Sequence, residues 1–169
     1  MPPKVPLSLS TRLTLSELQP LTQSQQLLRL YRRFIRLSIF IPSRKHRLTY
    51  SSLLRDRFTI GFNSRHKKVL GIDPGLTDID LIARTINTLE LVNEAFTYND
   101  KMSTDIIMNL IKLEQSKIIY ASKNQKDRTL EGKFKQYEYH DDKKTLELTS
   151  LKEYDKTLMR FNETMNMCL

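Results

Sequence analysis

A single cysteine, Cys168, stands in this chain of 169 residues. That scarcity excludes an internal disulfide framework and any multi-cysteine zinc site. Only four glycines occur, which argues against a sheet-rich fold with many tight turns. Neither the dinucleotide-binding fingerprint nor the P-loop motif is present. No apolar run approaches the roughly 18 residues a bilayer-spanning helix requires. The three histidines, His46, His66 and His140, are not at metal-ligand spacing from one another or from the cysteine, and they read as loop residues. No nucleophile elbow occurs. Asp73 precedes Pro74, as aspartates in turns do, and Asp78 and Asp80 fall where a helix would begin and its macrodipole would favour acids. Catalytic and metal-binding residues are therefore expected to be absent, and the chain is expected not to be an enzyme.

What is present is positive charge, unevenly placed. The net charge is +9. Residues 1–72 hold 14 Lys/Arg against two acids, Glu17 and Asp56, a net +12, while residues 73–169 hold 14 Lys/Arg against 17 acids, a net −3. Solubility alone does not require such segregation. The basic half calls for an acidic partner: a protein, a nucleic acid or an anionic lipid surface.

Apolar residues, 39% of the chain, suffice for a lean core. Their spacing predicts an all-α fold. Residues 1–23, rich in proline, serine and threonine, read as a flexible N-terminal arm and a candidate targeting segment, being basic and nearly free of acids. Residues 25–41 predict the strongest helix. Leu27, Leu28, Leu30, Tyr31, Phe34, Ile35 and Leu37 fill one half of its wheel. Arg29, Arg32, Arg33 and Arg36 share an arc of about 100° on the other, and Pro42 stops it. Residues 48–60 predict a second helix, with Tyr50, Leu53, Leu54 and Phe58 inward and Arg55 and Arg57 outward. Residues 61–76, holding three of the glycines, read as a long loop. A third helix spans 79–96, capped by Thr77 or Asp78, with Ile82, Ile86 and Leu89 in its seam. A fourth covers 103–121, and residues 122–142 read as a polar linker. A fifth covers 143–166, with Leu151, Tyr154, Leu158, Phe161 and Met165 spaced at three and four.

Leu30-Tyr31-Arg32 opens the first helix and is followed by Arg33 and Phe34; Arg55-Asp56-Arg57-Phe58 closes the second; Leu76-Thr77-Asp78 starts the third. This order resembles the LYR-motif (complex 1 LYR-like) family of mitochondria. The resemblance implies a three-helix LYR-type bundle over residues 24–96, with residues 97–169 as a helical C-terminal extension. It further implies a mitochondrial matrix adaptor, assembly factor or accessory subunit that binds the mitochondrial acyl carrier protein and a client complex. No cofactor would be bound directly; an acylated 4'-phosphopantetheine would be supplied by the carrier. By that resemblance, Arg29, Tyr31, Arg32, Arg33, Arg36, Arg55 and Arg57 would dock the acidic carrier. Leu27, Leu30, Phe34, Phe58, Ile82, Ile86 and Leu89 would line the acyl chain.

Two other readings use the same basic half. One is a basic RNA-binding or ribosome-associated helical protein, which would bind with steep salt dependence. The other is a membrane-surface protein, its basic amphipathic helix lying on anionic lipid.

Overall fold

The structure, a computed structural model, describes residues 13–98, 100–131 and 142–168. Residues 1–12 of the expected arm, residues 132–141 of the expected linker, and His140 lie outside the described residues. Among the described residues every regular element is helical: α1 (Leu15–Leu18), α2 (Gln23–Leu37), a 3₁₀ turn (Ser38–Phe40), α3 (Arg44–Ile60), α4 (Phe62–Leu70), α5 (Asp78–Thr97), α6 (Lys101–Glu131) and α7 (Asp142–Met165). The all-α class is as expected. No helix among the described residues is long and apolar enough to cross a membrane.

Local chemistry explains the boundaries. The Thr22 amide donates to Gln25 Oε1 at 3.1 Å, half of a capping box, so α2 starts at Gln23 and its cap is Thr22. The Gln26 side-chain amide donates to the carbonyls of Leu18 and Leu21 at 2.8 and 3.0 Å and ties α1 to α2. Leu13 and Leu18 are buried, so the segment expected to be a free arm joins the core from residue 13 onward. At α5 the Thr77 amide donates to Asp80 Oδ2 at 3.1 Å and the Asp80 amide donates to Thr77 Oγ1 at 3.3 Å. The hydroxyl and amide of Thr77 hold the Asp80 carboxyl below its ordinary range. Asp100 accepts from the Ser103 amide at 2.8 Å and caps α6, which starts at Lys101 and not at the expected 103.

The expected loop 61–76 contains a helix. Gly61, at φ +75°, separates α3 from α4, and Gly71, at φ +76°, ends α4 in the left-handed conformation. Both angles suit glycine and strain other residues. These glycines bound α4 at its two ends; they do not mark one continuous loop. Residues 122–131 of the expected linker likewise continue α6.

The core is continuous from Leu13 to Met167. Leu30, Phe34 and Leu37 of α2 meet Tyr50, Leu53 and Leu54 of α3 and Ile82, Ile86, Leu89, Val92 and Phe96 of α5. Ile107, Leu110 and Ile111 of α6 belong to the same cluster, and α6 packs on both α3 and α5. α6 is therefore a fourth wall of the bundle, and the division at residue 96 does not separate two bodies.

α7 docks on α4. His66, 2% exposed, bridges the Ile72 carbonyl through Nδ1 at 2.8 Å and Glu163 of α7 through Nε2 at 2.6 Å. It is a buried helical tie, not a loop histidine. Lys117 of α6 ion-pairs with Asp155 of α7 and lies 4.7 Å from the centre of the Tyr154 ring. Past α7 the chain turns back at Asn166, φ +51°. The Met167 amide donates to the Asn162 carbonyl and the Cys168 amide to Thr88 Oγ1, each at 2.8 Å. This hook seats Met167 and Cys168 against α5.

Candidate apolar binding cavity

The bundle encloses a cavity of about 160 Å³. α2 contributes Leu27 and Phe34; α3, Tyr50, Leu53, Leu54 and Phe58; α4, Phe62; α5, Leu81, Ile82 and Val92; α6, Ile107 and Leu110; and the C-terminal hook, Cys168. A space of this size, lined mainly by aliphatic and aromatic groups, admits a ligand about as large as benzene. Gln23, Leu27 and Asp78 also line it and are exposed, which places its mouth at the N-terminal ends of α2 and α5.

The polar atoms on the wall have little left to offer. The Tyr50 hydroxyl donates to the Phe34 carbonyl at 3.2 Å, and burial pushes its pKa far above the ordinary range. The hydroxyls of Thr85 and Thr88 donate to the carbonyls of Leu81 and Arg84 at 2.7 and 2.9 Å. Arg57 reaches Glu114 of α6 at 3.3 Å, and Glu114 also accepts from Lys117 at 3.0 Å. Arg57 Nε is buried without a hydrogen-bond partner. Phe62 is flanked by the guanidinium groups of Arg65 and Arg84, 5.8 and 5.6 Å from its ring centre, an arrangement that fixes the ring as a wall.

Burial pushes the Cys168 thiol up to about 11, against opposing effects of Arg84 and Thr85. Its folded-state pKa thus exceeds the ordinary 9.0. The stabilisation from the protonated thiol is full below that value and is lost as the pH rises toward 11. At pH 8 the thiolate is scarce, and alkylation by iodoacetamide should be far slower in the native protein than in urea. Equal rates in the two states would show that the hook is not docked.

The structure divides the residues singled out from the sequence. Leu27, Phe34, Phe58 and Ile82 line the cavity, whereas Leu30, Ile86 and Leu89 are buried in the core away from it. Arg29, Arg32 and Arg36 are exposed along α2, and Arg33 is half-buried. Burial, then the neighbouring Arg29, lowers the Arg33 pKa, with Glu17 acting in the opposite sense. Arg55 is exposed, but Arg57 turns inward to Glu114 and the cavity. Two residues apart on a helix they stand about 200° apart, so they do not face one partner. Tyr31 packs edge-on against Phe58, with ring centres 5.3 Å apart at 72°, and Phe58 packs against Phe34 at 5.9 Å and 68°. Periodicity alone had marked Tyr50, Leu53 and Leu54 as inward-facing. Phe62 escaped notice inside the expected loop, and Ile107, Leu110 and Cys168 inside the expected extension and tail.

Leu30, Tyr31 and Arg32 do share one helix, but comparison with known proteins points away from the LYR-motif family. A family model described as Irc19, Increased recombination centres protein 19, matches residues 3–169. Increased recombination centers protein 19 of Kluyveromyces lactis is 27% identical over 160 residues, covering 90% of this chain and 85% of that protein. No solved structure matches. A match over nearly the whole chain outweighs three short motifs over its middle. It overturns the LYR assignment and the functions attached to it, the acyl-carrier adaptor and the RNA-binding alternative alike.

Proposed function

The chain belongs to the increased recombination centres protein 19 family, and we propose that it acts there as a non-catalytic binding protein that takes a small apolar ligand into the cavity between α2, α3, α5 and α6. The Kluyveromyces lactis relative's name speaks of recombination centres and names no substrate or partner, so the reading rests on geometry. One observation carries it: a mainly apolar cavity of about 160 Å³ whose wall hydroxyls already donate to backbone carbonyls. Such a wall rewards hydrocarbon and little else, because a polar ligand would leave water without finding new partners. Arg57 Nε is a wall donor still open to a polar end of the ligand. The protonated state of Cys168 supports binding over covalent chemistry, since the thiol is a poor nucleophile. A mitochondrial location is part of the proposal, supported by the basic, acid-poor composition of residues 1–23.

Thermal unfolding in the presence of benzene, decanol and decanoic acid tests the proposal. At a hundred times its Kd, a ligand bound only to the folded state contributes about 2.7 kcal/mol, a shift of several degrees. Leu54→Trp, which fills the cavity, should keep the helical signal and lose the shift. If none of the probes raises the melting temperature of the wild-type protein, the cavity is a packing defect and the proposal is wrong.

A further inference from the structure

Opposite charges are missing from one corner of the bundle. Between residues 36 and 48 the chain carries Arg36, Arg44, Lys45 and Arg47, all exposed, and no acid. Among the described residues none of these four has an acidic partner. Three of them occupy the first turn of α3, where the helix macrodipole already presents positive charge and disfavours cations. The fold does nothing to offset this arrangement locally.

The same corner exposes hydrocarbon. Ile39, in the 3₁₀ turn, and Leu48, one turn into α3, are each 64% exposed. The 3₁₀ turn packs on both α2 and α3, which holds Ile39 at the end of the hairpin where α3 begins. Two large exposed aliphatic side chains thus share one short stretch, residues 36–48, with four exposed cations.

From this juxtaposition we infer that the α2–α3 corner docks on an anionic lipid surface, with Ile39 and Leu48 entering the headgroup boundary and Arg36, Arg44, Lys45 and Arg47 resting on acidic headgroups. The aliphatic pair decides between anionic partners. A phosphate backbone would engage the cations and leave Ile39 and Leu48 in water. Binding to single-stranded nucleic acid would favour exposed aromatic rings, and here Phe40 is half-buried and Tyr50 buried. A bilayer surface uses both features together. This inference does not depend on the cavity: ligand binding and surface docking involve different residues and can fail separately.

The test is co-sedimentation of the full chain with vesicles of phosphatidylcholine alone or mixed with phosphatidylserine, at low and high salt. Binding should require phosphatidylserine and weaken as salt rises. Arg44→Gln with Arg47→Gln should weaken partitioning roughly 25-fold, about fivefold per charge. Ile39→Ser with Leu48→Ser should weaken it at least about tenfold with the charge unchanged. All four positions are exposed, so circular dichroism should show wild-type helicity in both variants. Equal binding to both vesicle types would overturn the inference. So would full binding by the serine variant, or duplex DNA bound in preference to vesicles and unaffected by the serine changes.

Discussion

Phe34→Ala should lower the unfolding free energy by about 3–5 kcal/mol and widen the cavity it borders. The ring is 2% exposed and sits against Phe58. Its wall already faces empty space, so the neighbours cannot close over the gap, and the loss should fall toward the upper end of that range. The backbone is not implicated, because the Phe34 carbonyl that accepts from Tyr50 survives the substitution. Urea denaturation should show a lower midpoint with an unchanged slope. Decanol should restore more stability to the variant than to the wild type. A loss below about 1.5 kcal/mol would mean that the ring is not packed as described. Phe58, half-buried, should cost less when truncated.

The second large effect is expected at His66. Removing its side chain deletes two hydrogen bonds and the contact with Phe62, 5.7 Å between ring centres. It also leaves the Ile72 carbonyl without that donor. The carbonyl can only accept, so Nδ1 is the donor in that bond. His66→Ala should cost about 3 kcal/mol. Glu163→Ala should cost about 1 kcal/mol, because that carboxylate is 45% exposed and water takes its place. Hydrogen exchange should locate the damage: amides of 158–165 in α7 should exchange faster in the histidine variant while those of α2 and α5 keep their protection. If α7 remains as protected as in the wild type, the tie between α4 and α7 carries no weight.

These two residues show how differently the parts of the molecule could be read in advance. Phe34 declares itself through its spacing from Leu30 and Leu37 on a helix whose other face is arginine. His66 is silent, because its partner lies 97 residues away. Arg57 is a different case. On the wheel of α3 it stands about 40° from Leu53 and between Leu53 and Tyr50, so its charge pointed outward while its position pointed inward, and α6 supplies Glu114, a residue 57 positions distant, as its partner there. The tripeptide Leu30-Tyr31-Arg32 misled differently: three residues that fit an amphipathic helix arise wherever such a helix does, and they carry too little information to name a family.

The amphipathic stripes, the start of α5 at Thr77 and the separation of charge follow from contacts within one turn. The pairing of Thr77 with Asp80, the proline after α2 and the arginine stripe all act at that range, so residue order alone was enough to determine them, whereas α4 and the extension of α6 were not read from it. Which helices would share a core, that α6 would be its fourth wall, and that a cavity would open between α2 and the C-terminal hook were decided by tertiary structure. They depend on how rigid rods of unlike shape fill space together, and no spacing along a single rod contains that information.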